Sequence, residues 1–293
     1  MEDLFIGVDG GGTRCRVRLA DAAGKALGES EGGPANIGLG RSAWDNVLGA
    51  CLDAVRKAGL DDADLRRVHA GMGLAGVIAE SYRRDTEALP HPFASLAVDS
   101  DAYVAWLGAH EGRDGAVLIL GTGSCGLAVV NGVRRTIGGW GPDISDEASG
   151  MAIGREALRR ALWANDGLIP ATPLTEELLA FFEGKPEKVV EWTRSARTAD
   201  LAGLAPRVFE HADAGDAVAV DVLEGAARDA ERTIAGLRAF GAERVSLVGG
   251  LARHMEGWLS AKVREELVPP AHDAMDGAIL LAKHRSMAGV PSP

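Results

Sequence analysis

The amino-acid sequence predicts an α/β protein with two domains, and three observations lead to this class. Its 293 residues exceed the length of one typical domain, and 46% of them are hydrophobic, which is enough for a large core. Apolar runs of strand length alternate with longer segments whose apolar residues recur at helical spacing. A pattern of strand, glycine-rich loop, strand, turn and strand occurs twice, which indicates an internal duplication.

Charge and cysteine content exclude several classes of function. The net charge of −11 and the pI near 5.2 argue against binding to nucleic acid or to an anionic membrane, because both need clustered Lys and Arg. The three cysteines, Cys15, Cys51 and Cys125, lack metal-type spacing and are expected to be reduced thiols. Glu2 and Asp3 leave no room for a signal peptide before the first strand, so we expect a cytoplasmic protein.

The first copy of the repeated pattern begins with FIGVDGGGT, residues 5–13. A buried strand would end at Asp9, and Gly10–Gly12 would leave no Cβ between the backbone amides and a ligand, which suits a phosphate. Asp9 could hold Mg²⁺ through water. The alternative is a plain hairpin turn, although the third glycine and Thr13 favour the phosphate loop.

The chain then returns through an alternating strand at 15–19, a turn at 21–24 and a second strand at 25–29. Asn36 follows in the glycine-rich segment GGPANIGLG, where its amide could bond a sugar hydroxyl or serve only as a turn residue. An amphipathic helix that ends at Gly59 comes next.

A strand is predicted over 68–74, a helix over 83–89, and a short strand over 96–98. This last strand leads through Asp99 and Ser100 into Asp101 and a helix. Asp101 at this junction could be a helix cap, the default interpretation, or could accept a proton from a substrate hydroxyl at the edge of the sheet.

The second copy consists of a strand at 116–120, the loop GTGSCG, a strand at 127–130, an Asn-Gly turn and a strand at 133–137. A dinucleotide-binding loop would open a helix, so the Rossmann interpretation fails, and the chain has no Walker sequence. The uncharged run 115–133 is long enough to span a bilayer, but its central glycine loop would break a lipid-facing helix. Ser124 corresponds to Thr13, and two such loops facing each other across a cleft would bind a polyphosphate.

Three further residues or pairs stand out in the second half. Trp140, in GGWG, offers a flat apolar face to a sugar ring, whereas Asp146 precedes a helix and could simply belong to its capping pattern. Gly249 and Gly250 follow a strand at 245–248 and would let a base or ribose approach the backbone, although a plain turn would look similar.

In this order, VDGGGT, the Asp101 junction, LGTGSCG and LVGG resemble the superfamily of sugar kinases, heat-shock ATPases and actin. Within it, GPANIGLG, HPFASLAVDSDAYVAWLGAH and GGWGPDISDEASG resemble the N-acetylglucosamine kinases, and more closely the bacterial glucosamine kinases of the BadF/BadG/BcrA/BcrD type. The resemblance implies two RNase-H-like (actin-like ATPase) domains with a nucleotide cleft between them. They would be residues 1–112, joined by a C-terminal helix at 274–288, and residues 113–273.

The resemblance also implies ATP and Mg²⁺ as ligands and assigns roles to individual residues. Asp9 would lie at the metal and Asp101 would be the general base. The phosphates would contact two loops, represented by Gly11, Gly12 and Thr13 and by Gly121, Thr122, Gly123 and Ser124. The amino sugar would contact Asn36, Asp101, Trp140 and Asp146, and the adenosine would contact Gly249 and Gly250.

The implied reaction is transfer of the ATP γ-phosphate to the 6-hydroxyl of glucosamine or N-acetylglucosamine, catalysed by a homodimer. The alternative is an ATP-driven activator or sugar-sensing ATPase of the same superfamily without kinase turnover. Such activators hold an iron–sulfur cluster through cysteines in a helix-end motif, which Cys15 and Cys125 do not fit. The zinc-binding cysteine cluster of the other bacterial sugar-kinase family is also missing.

Overall fold

A computed structural model describes residues 3–287 of the chain. Glu2, which contributed to the expectation of a non-exported N-terminus, lies outside the described residues, as does position 288 of the predicted last helix. The described part has nine strands: β1 (Leu4–Gly10), β2 (Cys15–Ala20), β3 (Ala26–Gly32), β4 (Val68–Leu74), β5 (Ser95–Ser100), β6 (Gly115–Leu120), β7 (Ser124–Val130), β8 (Val133–Gly138) and β9 (Val245–Val248).

Twelve α-helices are present in the same stretch of chain: α1 (Arg41–Lys57), α2 (Glu80–Glu87), α3 (Asp101–His110), α4 (Gly150–Asn165), α5 (Pro173–Phe181), α6 (Pro186–Thr193), α7 (Thr198–Ala202), α8 (Ala205–Asp213), α9 (Ala217–Ala239), α10 (Ala252–Glu256), α11 (Ala261–Glu265) and α12 (Ala274–Met287). The strands and helices predicted from periodicity are all found, with ends that differ by a few residues.

The first sheet has five strands in the order β3-β2-β1-β4-β5. β1, β2 and β3 pair antiparallel, because two short turns join them, whereas β1, β4 and β5 run parallel. Parallel neighbours need crossover connections, and α1 and α2 lie in these connections. Nearly every residue of β1, β4 and β5 is buried, as expected for strands covered on both faces.

The second sheet has the strand order β8-β7-β6-β9. Numbered from its own first strand, this order is the same as that of the first four strands of the other sheet. The shared order agrees with an internal duplication and confirms an α/β fold built on two related sheets. The Asn131-Gly132 turn between β7 and β8 has left-handed backbone at both residues, as a two-residue hairpin turn requires.

The chain divides into two compact units. One comprises Met1–Val117, Leu127–Arg134 and Pro269–Pro293, and the other comprises Leu118–Gly126 and Arg135–Val268. The predicted boundary at residue 112 and the predicted cleft stay predictions.

The last helix packs within the first unit. α12 lies against α3 and against β1 and β4. Gly71 of β4 permits this contact, because a Cβ at Gly71 would lie 1.9 Å from the carbonyl oxygen of Ala278. Arg18 of β2 also binds α12 and the residue before it, through ion pairs with Asp273 at 3.0 Å and Asp276 at 2.7 Å. The helix therefore joins the sheet by both close packing and charge.

In the second unit, helices α4 to α9 surround buried apolar side chains that include Leu158, Leu174 and Leu223. The buried carboxylate of Asp216 caps α9 by accepting from the backbone amides of Val218 and Ala219 at 3.0 Å. It also accepts from the amide of Leu174 in α5 at 2.9 Å, so one side chain fixes two helices. Burial opposes its ionisation, but these hydrogen bonds outweigh burial and lower the pKa of Asp216.

Among residues 3–287, no helix is both long enough and apolar enough to cross a membrane. The uncharged run 115–133 forms β6, the glycine loop, β7 and the following turn instead.

Candidate functional site

In the first unit, the predicted site residues gather at the carboxyl ends of the parallel strands. The register aligns Asp9 of β1 with Gly73 of β4, and Gly73 with Asp99 of β5. Asp101 follows two residues after Asp99. Because the ends of β1, β4 and β5 lie at one edge of the sheet, the fold brings Asp9 and the Asp101 junction to that edge, where α/β proteins bind ligands.

Asp9 is one quarter exposed and forms an ion pair with Arg16, the residue opposite it on β2. Both Arg16 hydrogen bonds end on Oδ2 of Asp9, at 2.6 Å from Nη2 and 3.2 Å from Nε. The second carboxylate oxygen, Oδ1, can therefore still bind a water of a metal ion. Mg²⁺ in nucleotide enzymes commonly needs only one or two carboxylates besides phosphates and waters, so a single aspartate fits this ion.

The loop after Asp9 joins β1 and β2 in a hairpin. None of Gly10, Gly11 and Gly12 has a positive φ, so these glycines do not form a left-handed turn. The amide of Gly11 donates to the carbonyl of Arg14 at 2.9 Å within the loop. A Cβ on Gly12 would meet nothing within 4 Å, so this glycine leaves open space for a ligand.

The segment with Asn36 lies against the same edge. The amide of Ala35 donates to the carbonyl of Gly11, and the amide of Ile37 donates to the carbonyl of Ala75, each at 3.0 Å. Oδ1 of Asn36 accepts from the amide of Gly38 at 2.9 Å and caps a 3₁₀ turn. The turn role is therefore real, and the side-chain nitrogen of Asn36 remains the atom that can donate to a sugar hydroxyl.

Asp101 is the first residue of α3 rather than its cap. Ser100 is the cap, because its Oγ accepts from the amide of Tyr103 at 3.1 Å. Oδ1 of Asp101 accepts from the amide of Ala102 at 2.9 Å, which orients a half-buried carboxylate at the sheet edge. The cap of α3 is therefore Ser100 and not Asp101, and the role of Asp101 as a base stays a prediction.

In the second unit, the loop Gly121–Gly123 is bound to the first turn of α4. The carbonyls of Gly121 and Thr122 accept from the amides of Gly150 at 2.8 Å and Met151 at 3.2 Å. Inside the loop, the amide of Gly121 donates to the carbonyl of Gly123 at 3.0 Å. These bonds fix the loop between β6 and β7, and Ser124 adds a bond from its Oγ to the carbonyl of Glu147 at 2.5 Å.

Asp146 lies beside this loop and precedes α4 without capping it. Ser149 is the cap of α4, whereas Asp146 has a φ of 66° and directs Oδ2 to 2.9 Å from where a Cβ on Gly123 would lie. Burial raises the pKa of Asp146, although backbone hydrogen bonds from Ser124 and Gly141 oppose the shift. Such strained backbone at a non-glycine residue occurs preferentially at functional sites.

Trp140 is 65% exposed, an unusual state for so large an apolar side chain. Its neighbours Gly139 and Gly141 both have left-handed backbone, with φ of 72° and 99°. The indole face is therefore presented to solvent, as a sugar-stacking role needs.

Gly249 and Gly250 follow β9 and lie next to the end of β6. Gly249 has a φ of 98°, and the amide of Leu251 donates to the carbonyl of Leu120 at 2.9 Å. A Cβ on Gly250 would meet nothing within 4 Å. The first glycine is thus required by the fold, and the second is open to a ligand.

Comparison with known proteins now identifies the family. A sequence model of the BadF/BadG/BcrA/BcrD ATPase family matches residues 6–282. The chain belongs to this family. The matched range includes every predicted site residue of this BadF/BadG-type protein.

Three relatives refine the comparison for this BadF/BadG-type ATPase. Glucosamine kinase GspK of Vibrio cholerae is 38% identical over 96% of both chains. N-acetyl-D-glucosamine kinase of Dictyostelium discoideum is 32% identical, with 77% of this chain and 76% of the relative covered. A crystal structure of a candidate N-acetylglucosamine kinase from Chromobacterium violaceum superposes with a TM-score of 0.90 at 36% identity, covering 96% of this chain and 99% of that one.

Two arginines of this BadF/BadG-type ATPase were missed by sequence reasoning. Arg16 pairs with Asp9, and Arg134 binds Asp99 through Nη1 at 2.9 and 3.0 Å. Arg16 was detectable, because it is a polar residue on an alternating strand opposite the predicted metal ligand. Arg134 gave no local signal, because Asp99 is 35 positions away in the sequence. No cluster of three or more metal-ligating side chains occurs between residues 3 and 287.

Proposed function

We propose that the protein is an ATP-dependent kinase that phosphorylates the 6-hydroxyl of an amino sugar, either glucosamine or N-acetylglucosamine. The observation that carries this proposal is the 38% identity with a glucosamine kinase across 96% of both chains. The geometry supports it, because Asp101 and Asn36 lie at the ligand-binding edge of the first sheet. An amino sugar would be the acceptor and ATP the donor.

Asp101 is the proposed general base. Its carboxylate accepts the proton of the sugar 6-hydroxyl as that oxygen attacks the γ-phosphorus in line and the bond to the ADP oxygen breaks. The hydrogen bond from the amide of Ala102 to Oδ1 helps to orient this carboxylate at the start of α3. Asn36, Trp140 and Asp146 are the proposed sugar contacts, through an amide donor, an apolar face and a carboxylate.

Phosphate binding is assigned to two loops, with Gly12 and Thr13 in one and residues 121–124 in the other. The amides of Gly11 and Gly121 already bond within their loops, so their proposed contribution is to shape the loops. Asp9 would hold Mg²⁺ through water at Oδ1, and the ion would neutralise phosphate charge when bound. The adenosine of ATP is proposed to approach the backbone at Gly249 and Gly250.

Asp101→Asn tests the base. The amide cannot take a proton but keeps the shape of the side chain, so sugar and ATP should still bind while kcat falls by roughly 100-fold or more. Asp53→Asn makes the same chemical change on the exposed face of α1 and should leave kcat unchanged. Near wild-type turnover of the Asp101 variant would refute its role.

ADP release in a coupled assay tests the substrate class. Wild-type protein is supplied with glucosamine, N-acetylglucosamine, glucose or N-acetylmannosamine, and an amino sugar should give the highest kcat/KM. The proposal fails if no amino sugar stimulates ADP release above the rate with ATP alone. A phosphate on the 6-oxygen of the product is to be verified by NMR.

The activator alternative has less support. Its iron–sulfur chemistry needs several accessible cysteine thiolates. Cys15 and Cys51 are buried, and burial raises the pKa of both thiols, which leaves Cys125 as the one partly exposed thiol of the three cysteines. The matching curated relatives carry sugar-kinase names. We also propose that the protein is a homodimer with a cytoplasmic location. Light scattering of the purified protein tests the homodimer.

A further inference from the structure

The carboxylate two residues before the proposed base is held by an arginine from a distant hairpin. Asp99 is almost fully buried, with 9% of its side chain exposed, whereas Arg134 is 45% exposed. Nη1 of Arg134 donates to both oxygens of Asp99, and its guanidinium carbon lies 3.4 Å from the centre of the Tyr103 ring. Arg134 thus covers Asp99 on one side and stacks on α3 on the other.

The contacts continue from Asp99 to the proposed base. Oδ1 of Asp99 accepts from the amide of Ser100 at 2.8 Å. Ser100 in turn caps α3 through Tyr103, and Asp101 is the next residue. The carboxylate of Asp99 therefore orients the peptide before Asp101, and Arg134 holds that carboxylate in place.

The hairpin that carries Arg134 is itself fixed. The amide of Asn131 donates to both oxygens of Asp114 at 3.0 Å, which ties the turn between β7 and β8 to the start of β6. Arg83 also interacts electrostatically with Asp99, but its guanidinium is hydrogen-bonded to Glu80. Loss of Arg134 would leave the buried carboxylate of Asp99 without the cation that pairs with it, which would favour a movement of Asp99 and of the segment that it holds.

We propose that Arg134 is a positioning residue for the phosphoryl transfer, holding the segment Asp99–Asp101 so that the carboxylate of Asp101 meets the sugar hydroxyl. This inference rests on the proposed kinase function. Arg134 acts through Asp99 and Tyr103 and does not touch the substrate. A guanidinium is needed because its plane stacks on the Tyr103 ring while Nη1 donates to both oxygens of Asp99. An ammonium could still donate to these oxygens, but it has no plane to stack on the ring.

The test compares Arg134→Met with Arg135→Met, which removes the same charge from the exposed neighbouring residue of β8. Arg134→Met should lower kcat by roughly 10- to 100-fold, the effect of a small displacement of a reacting group. Titration calorimetry should still find one amino-sugar site per chain. Arg135→Met should retain the wild-type kcat, and Arg134→Lys should recover part of the loss.

A double variant separates positioning from folding. In an Asp99→Asn background no buried charge is left unpaired, so Arg134→Met should lower kcat by a smaller factor there than in the wild type. The inference is overturned if Arg134→Met lowers kcat by the same factor in both backgrounds. It is also overturned if Arg134→Met and Arg135→Met have equal kcat values, or if the fall in kcat is matched by an equal loss of amino-sugar binding sites per chain. No turnover in either wild type or Arg135→Met would overturn the kinase function and the role of Arg134 together.

Discussion

Replacement of Gly249 by alanine is expected to destabilise the second unit strongly. The φ of 98° is a conformation that residues with a side chain rarely adopt, which costs about 1–2 kcal/mol. An added Cβ would also lie 2.4 Å from the carbonyl oxygen of Leu120, and such overpacking costs about 1–3 kcal/mol. Together these effects predict a loss of about 2–5 kcal/mol in the free energy of unfolding.

The neighbouring Gly250 provides a matched control. An added Cβ there would meet nothing within 4 Å, so Gly250→Ala should leave the free energy of unfolding unchanged. In the proposed adenosine site, however, the same methyl group would block the approach of the nucleotide. We therefore expect Gly250→Ala to raise the KM for ATP with no change in Tm.

Thermal unfolding without nucleotide measures the first effect and initial rates measure the second. For a unit of this size, the loss at Gly249 corresponds to a fall in Tm of about 4–20 °C. Equal Tm values for the two alanine variants would refute the steric reasoning about Leu120. An unchanged KM for ATP in Gly250→Ala would instead contradict the adenosine assignment.

Two further predictions concern stability. The lowered pKa of Asp216 means that its stabilisation is present above the usual aspartate pKa of 3.8 and is lost as the pH falls through the lowered value. Asp216→Asn should therefore lower the free energy of urea unfolding by about 1–3 kcal/mol at neutral pH, and this difference between variant and wild type should shrink in acid. A difference that grows on acidification would contradict a lowered pKa of Asp216 in the folded protein. Gly71→Ala should cost about 3 kcal/mol by pushing Ala278 and α12 away from the sheet. Gly49→Ala, in open space on α1, should stabilise the protein by about 0.5–1 kcal/mol, and the same sign for both glycines would contradict the packing argument.

The local pattern of the sequence predicted the elements well because their causes are local. An apolar run that ends in Asp9 and glycines forms β1, and an Asn-Gly pair forms the turn before β8. Alternating residues at 15–19 gave a half-buried strand, as observed in β2. Each of these outcomes depends on neighbours within a few positions, so propensity and periodicity suffice.

Roles that depend on contacts between distant segments were not predictable in this way. Ser100 and Asp101 both sit at the start of α3, and only the hydrogen-bond geometry shows that Ser100 is the cap. The sequence left open whether Gly10–Gly12 form a phosphate loop or a plain hairpin turn, and it did not indicate that none of them has a positive φ. Their backbone is set by Arg14 and by the segment at Ala35, which the linear pattern does not indicate.

The sequence by itself determined the α/β class, the duplicated strand pattern and the set of candidate residues, because alternation, glycine loops and acidic strand ends are encoded locally. Only the tertiary structure decided which candidates meet at one sheet edge and which groups hold them there. Arg16 reaches Asp9 through strand pairing, and Arg134 reaches Asp99 from a hairpin 35 positions along the chain. A buried carboxylate is stabilised when a cation pairs with it, and the tertiary structure determines which cation lies close enough to do so.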